Sequence, residues 1–473
     1  MSRLLVVLTV LVGIAGLLLY SAGRADPPAA TSPTLPYGLK GDGQSDDTVA
    51  LQRALAAGSV RLPRGIYRIS KPIVLELDRT GYVGLQSDGT AQILMTGPGP
   101  ALHLIGSHAG TAAPQTVQPA VWHKQRTPMI DGIEIVGAHP EADGIRAEGT
   151  MQLTITRTVL RQCRHGIHLV KRNRNVLISA CHIYQNRGIG VFLDQVNLHQ
   201  INIDGCHISY CDGGGVVSRG GEVRNLHLGT CDIESNMSVQ GPPTANVLLD
   251  CTQGSIAEVA ITGCTIQHND KGKDSANIRI LGQGRALRPG GTARWGHVTI
   301  TGNVLSDVQH NIDLDGARGV TITGNTFWMA YQYNLRAVRC EQLVVTGNVF
   351  ERNPAYDYGT SLTTRNALLF DRCKDCTLSG LQIHEVRAGV PAALRLSECD
   401  RCNLVGLTIL DCECTGLSLH QVTNSRVSDC LIQSKDKQLT LEITGGKNLQ
   451  VCDNLLQGNA RIDAEALRKE KSP

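Results

Sequence analysis

The stretch 298–350 constrains this chain most. It reads VTITGNVL, VTITGNTF and LVVTGNVF, with Asn303, Asn325 and Asn348 recurring at a nearly constant interval. Each unit alternates apolar and polar residues, stops at Gly-Asn, and resumes alternating. That is the period of a strand broken by a tight turn. A fixed period in the low twenties that carries strands and no helical pattern predicts a parallel β-helix, each repeat forming one coil stacked on the last.

Extending the register over the chain places Thr158, Cys181, Cys206, Cys231, Cys264, Asn303, Asn325, Asn348, Leu381, Leu407, Cys430 and Asn454 at one equivalent position. Neighbouring strands lie ~4.8 Å apart, so equivalent residues stack. The sixteen cysteines are thereby read mainly as a column of small, mildly apolar side chains, replaced midway by asparagines whose amides bond along the stack. The pairs Cys373/Cys376 and Cys399/Cys402 have zinc-ribbon spacing, but the offset between them is also the length of one coil. Further ladders or disulfides between coils are the competing readings.

Residues 1–25 look like a separate object: Ser2 and Arg3, an apolar run over 4–20, and small residues at Ala22, Gly23 and Ala25. This is the layout of a secretory signal peptide, with an uncleaved N-terminal anchor as the alternative. Either predicts a secreted, cell-surface or periplasmic protein. Residues 26–36 form a Pro-rich linker, 37–460 the coil stack, and 461–473 a charged cap helix and tail. A formal net charge of +3 with 18% charged residues leaves no basic footprint for nucleic acid.

After the linker comes GDGQSDDTVALQRALAA, followed by VRLPRGIYRIS. Asp46 or Asp47 would cap a helix through Ala57 with Val49, Leu51, Leu55 and Ala56 on one side. This segment resembles the opening of the pectate-lyase-superfamily β-helix proteins. The resemblance implies a right-handed parallel β-helix, all-β apart from a short helix capping the open N-terminal end, and an extracellular polysaccharide as partner. It carries no catalytic residues over. The strand-associated Asp-Asp and Gly-His-Gly segments of the polygalacturonase-type hydrolases are absent, RHGIH at 164–168 being a partial echo.

Three steps between equivalent positions are long: Cys231 to Cys264, Cys264 to Asn303, and Asn348 to Leu381 each exceed the length of a regular coil. The surplus must leave the stack as loops, where binding residues concentrate. On the adjoining strands Ile312 and Leu314 should face the core and Asp313 and Asp315 outward. One coil back from Asp313 lies Arg279, and one coil on, Arg336.

Three readings follow. Two guanidinium groups would hold Asp313 ionised, whereas Asp315, stacked between Leu281 and Val338, would find its charge less welcome. Residues i and i+2 on a strand lie ~6.6 to 7 Å apart, at the low end of the ~6.5 to 9.5 Å of inverting glycosidases. Asp315 would then donate a proton and Asp313 position water, with Asp250 and Asp371, two coils away on either side, touching sugar hydroxyls. Alternatively, Arg279 and Arg336 hold a uronate carboxylate for β-elimination, with Lys271, Lys273, His268 or Tyr358 as proton acceptor. The third reading is an ion-pair ladder without catalysis. Trp328, Tyr331, Tyr333, Tyr356 and Tyr358 cluster in a chain with 4% aromatics and suit sugar faces. No cofactor or metal is predicted, calcium being left open. A polysaccharide hydrolase or lyase leads, and a glycan-binding adhesion protein competes.

Overall fold

Residues 35–111, 113–282, 295–356, 361–435 and 437–468 are described by the computed structural model. The leader and the linker up to residue 34, and Tyr358, lie outside them. From Lys40 onward the chain forms one compact unit of parallel strands, each paired with its equivalent one coil away.

One helix, α1 (Thr48–Ala56), precedes the coils. Its start follows from local chemistry, though the two carboxylates divide the work. Asp46 accepts from the Thr48 backbone N–H at 3.0 Å, while the buried Asp47 turns back to accept from the backbone N–H groups of Lys40 (2.7 Å) and Gly41 (3.0 Å). Asp46 is held down at about 2: burial works against this, and hydrogen bonds from Ser70 and Thr48 prevail. The buried stripe is Leu51, Ala54 and Leu55, the i, i+3, i+4 face. Val49 and Ala56, expected on that face, point to solvent, because a 100° step per residue carries them round the helix. Gln52 closes the edge of the strand Ile73–Glu76: its amide donates to the Val74 carbonyl and accepts from the Val74 N–H, both at 2.8 Å.

Each regular coil has four sides. In the coil that begins at Ile189 they are 191–194, 197–199, 201–204 and 207–209. Left-handed residues make the corners, among them Gln195 (φ 45°), Gln200 (φ 62°), Gly205 (φ 57°) and Tyr210 (φ 54°). Such a conformation costs a non-glycine residue ~1–2 kcal/mol. Hydrogen bonds to the coils above and below offset that cost at every strand.

The column expected from the sequence is present from Thr158 to Cys430. Each member's carbonyl accepts from the residue that follows the next member, as in Asp232 N–H to Cys206 and Val349 N–H to Asn325. Within it Asn325 Oδ1 accepts from both the backbone N–H (2.9 Å) and the Nδ2 (3.0 Å) of Asn303, and Asn348 Oδ1 does the same for Asn325. A second ladder runs through Asn246, Asn277, Asn311 and Asn334, all buried, with amide-to-amide bonds of 2.8, 2.7 and 2.7 Å. The sixteen cysteines are free thiols, all but Cys452 buried. At the C-terminus Asn459–Ile462 pairs with Leu439–Thr444, and among the described residues a 3₁₀ turn, Ala464–Ala466, lies in the segment expected as cap helix and tail, of which 469–473 lie outside the described residues.

Candidate functional site

The site is built on the first side of the coil. Ile312 and Leu314 fill the core, so Asp313 and Asp315 project from the opposite face, with Arg279, Asp313 and Arg336 directly in register. Arg279 Nε lies 2.8 Å from Asp313 Oδ2 and Arg336 Nη1 2.7 Å from Asp313 Oδ1. The expected column exists, but Asp313 is not open to solvent: its side chain is 4% exposed. Arg279 is equally enclosed, because its Nη1 donates to the Thr244 carbonyl and its Nη2 to Asp274. Both oxygens of this carboxylate are taken by guanidinium groups, which sets Asp313 as an ion-pair partner in the column.

The second carboxylate is corrected too. Asp315 does stack between Leu281 and Val338, yet Arg339 donates to both of its oxygens. Asp371 is paired with Arg372 at 2.6 Å, and Asp250 accepts from the Thr252 backbone (3.0 Å) and hydroxyl (2.6 Å) with Arg219 3.7 Å away. These carboxylates share one column, but each is neutralised by its own neighbour.

What remains accessible is Arg336, one-third exposed, and Asp274, half exposed, from the loop that the long coil step foretold. Asp274 sits in the left-handed region (φ 49°) and takes His310 Nε2 at 2.9 Å on Oδ1 and Arg279 Nη2 at 3.0 Å on Oδ2. The His310 hydrogen bond, ahead of opposing burial and of Arg279, holds Asp274 below the usual carboxylate range. Arg336 is raised: burial opposes this, and the charge of Asp313 outweighs it. His310 is buried and stacks on Tyr333, ring centroids 5.8 Å apart and 11° from parallel. Trp328 meets Tyr356 edge-on at 5.2 Å, and Tyr331 is half-buried. Of the other proton acceptors considered, Lys271 pairs with Asp270 at 2.9 Å and His268 with Asp307 at 3.3 Å.

Asp274 and His310 escaped the sequence reading. A loop's return path has no period, so its register against the stack is invisible in the chain. A second cluster on the same side was also missed. Asp143, fully buried, accepts from Arg164 Nε (2.8 Å), Arg164 Nη2 (2.6 Å) and the His165 backbone (3.2 Å). Burial would raise this carboxyl, but Arg164 drives it far below the ordinary range. His168 Nε2 meets Asp194 at 3.0 Å, and its ring stacks on Phe192 at 5.2 Å. Burial brings His165 down to about 4, and its Nδ1 accepts from the Ile189 N–H at 3.1 Å. The signal was available: Asp143 precedes His165 by one coil.

Coils in parallel register, each strand paired with its equivalent one coil away, define a class: this is a right-handed parallel β-helix protein, and residues 124–270 match the family described as right handed beta helix region. Residues 257–467 match the family described as periplasmic copper-binding protein (NosD). Among solved structures the chain resembles the tailspike of E. coli bacteriophage HK620 in complex with pentasaccharide, at 10% identity and a TM-score of 0.50, covering 88% of this chain and 76% of that one. It also resembles the A-module of the Azotobacter vinelandii mannuronan C-5 epimerase AlgE6 (14% identity, TM-score 0.40, 89% and 97% covered). Tailspike protein 3 of bacteriophage CBA120 is similar too (16% identity, TM-score 0.46), and the match covers 88% of this chain and 60% of that one. No curated protein sequence matches the chain.

The residues do not fit a copper centre. The thiols in the matched region donate to carbonyls two residues back, as from Cys373 to Asp371 (3.5 Å) and Cys399 to Ser397 (3.3 Å). Among the described residues no group of three or more His, Cys, Asp or Glu is arranged to hold a metal ion. Cys373 with Cys399 and Cys376 with Cys402 stack one coil apart, as the ladder reading of these pairs requires.

Proposed function

We propose that the protein acts outside the cytoplasm on a uronate-containing polysaccharide, at the surface formed by Asp274, His310, Tyr333 and Arg336. One observation carries this reading: Arg336 is an accessible guanidinium whose orientation is fixed from behind by the buried Asp313. A guanidinium so held presents its remaining N–H groups to a planar carboxylate.

Neutralising a uronate carboxylate acidifies the adjacent C–H. The Tyr333 side chain, stacked on a histidine bonded to Asp274, is the group assigned to proton transfer. In β-elimination the Tyr333 phenolic oxygen takes the proton from the C–H, the C–H electrons form the C=C bond, the C–O bond to the departing sugar breaks, and Tyr333 returns the proton to that oxygen. Trp328, Tyr331 and Tyr356 supply flat faces beside it. Asp313 is a positioning residue here, and hydrolysis by Asp313 and Asp315 is set aside because both are engaged by arginines.

A panel of polyuronates incubated with the protein tests the reading. Unsaturated, ultraviolet-absorbing product should appear and should vanish in Arg336→Ala and Tyr333→Phe. No product with any polyuronate, and no Arg336-dependent binding, would remove it. Binding that depends on Arg336 without product would favour the adhesion reading, which the neutralisation of Asp250, Asp315 and Asp371 supports.

A further inference from the structure

A separate cleft of about 550 Å³ lies away from the ion pairs, at the corner between the second and third sides of the coil. Its wall is a column of left-handed corner residues, Gln152 (φ 57°), Asn175 (φ 54°), Gln200 (φ 62°) and Asn225 (φ 55°), one per coil. Third-side residues, including Leu177 and Asn202, form its floor, and a second cleft of about 370 Å³ shares both. The first cleft falls within the ordinary range of ligand sites, ~300–1,000 Å³.

The lining contains amides and hydroxyls, one histidine and a few aliphatic groups, but no carboxylate, ammonium or guanidinium. Among the described residues the amides of Gln200, Asn202 and Asn225 have no protein partner, whereas Asn175 accepts from Arg174 Nε at 3.3 Å and Gln152 from the Thr127 hydroxyl at 3.4 Å. Each free amide offers two donors and an acceptor. Leu177 is 44% exposed between them and gives an apolar surface.

We propose that this cleft is a second binding site, for a neutral oligosaccharide lying along the stack. Hydroxyl pairs need donors and acceptors at regular intervals, and the amides recur once per coil, ~4.8 Å. Sugar C–H faces need an apolar patch, which the exposed Leu177 provides. Nucleic acid is disfavoured because phosphates require cations. A peptide strand would need a free sheet edge, and this is a sheet face. The cleft lies on a different side of the coil from Arg336, so its occupancy is independent of the proposed chemistry.

The experiment is calorimetric titration of the protein with neutral hexasaccharides of glucose, mannose, galactose and N-acetylglucosamine, each compared with a hexauronate. At least one neutral hexasaccharide should bind, with little dependence on salt. Affinity should fall at least about tenfold in the double variant Gln200→Ala/Asn202→Ala, two lost polar contacts being worth about that much. The same affinity should be unchanged in Arg336→Ala, with unfolding midpoints confirming that both variants fold. Asn225→Ala repeats the test at a separate coil. No binding by any neutral hexasaccharide, equal loss in Arg336→Ala, or unchanged affinity in both amide variants overturns the proposal. Because hexauronate binding is read separately through Arg336, failure at this cleft is distinguishable from failure of the uronate reading.

Discussion

At Asp313 two guanidinium groups share one enclosed carboxylate, and removing the shared partner leaves the buried Arg279 and the partly exposed Arg336 facing each other without the charge between them. Asp313→Ala should destabilise the protein by roughly 3–5 kcal/mol in urea unfolding, the range for breaking a buried pair. Asp274, half exposed, stands differently: Asp274→Asn should cost about 1 kcal/mol or less while abolishing turnover of a polyuronate. Acid sensitivity belongs to this scale too. Burial depresses His165 to about 4, and burial with Arg172 and Arg174 depresses His108 to about 4, from an unfolded value of 6.5. The unfolded chain therefore binds more protons between those values, and stability is lost as pH falls from 6.5 to 4. Melting temperature against pH should decline over that window, and His108→Gln should flatten the decline. Asp143, depressed instead of raised, keeps its contribution through this window and loses it only at lower pH.

Among the repeating elements the asparagine ladders carry most specificity. Asn325→Ala removes the acceptor for two donors of Asn303 and leaves the Asn303 backbone N–H buried without a partner. An orphaned buried donor costs ~1–3 kcal/mol, so a loss of about 3 kcal/mol in chemical denaturation is expected with the added cavity. Asn325→Ser should recover little, because its hydroxyl is too short to span one coil. This ladder was legible in the chain, since its members recur at the coil period and follow glycine. The amide corner of the neutral cleft has the same periodicity, with Gln152, Asn175, Gln200 and Asn225 each one coil length from the next. It passed unread because Gln and Asn at a corner are ordinary surface residues until the corner is seen to be concave.

For the whole molecule, the exposed ends of the stack are the vulnerable places. α1 covers the first strands, with Leu51 and Leu55 buried and Gln52 occupying both backbone groups of Val74. Gln52→Ala combined with Leu55→Asp should open that strand edge and yield end-to-end oligomers in size-exclusion chromatography. What the sequence alone determined was the solenoid, its register, the ladders and the stacking of Arg279, Asp313 and Arg336. All of these follow from alternation and a constant coil length, which are properties of the backbone. The tertiary structure alone decided which of those outward residues meet solvent. The long loops bring Thr244 and Asp274 onto Arg279 and Asp274 to His310, and leave Arg336 one-third exposed. Their path is set by side-chain contacts between segments of no fixed spacing, so no period in the chain encodes it.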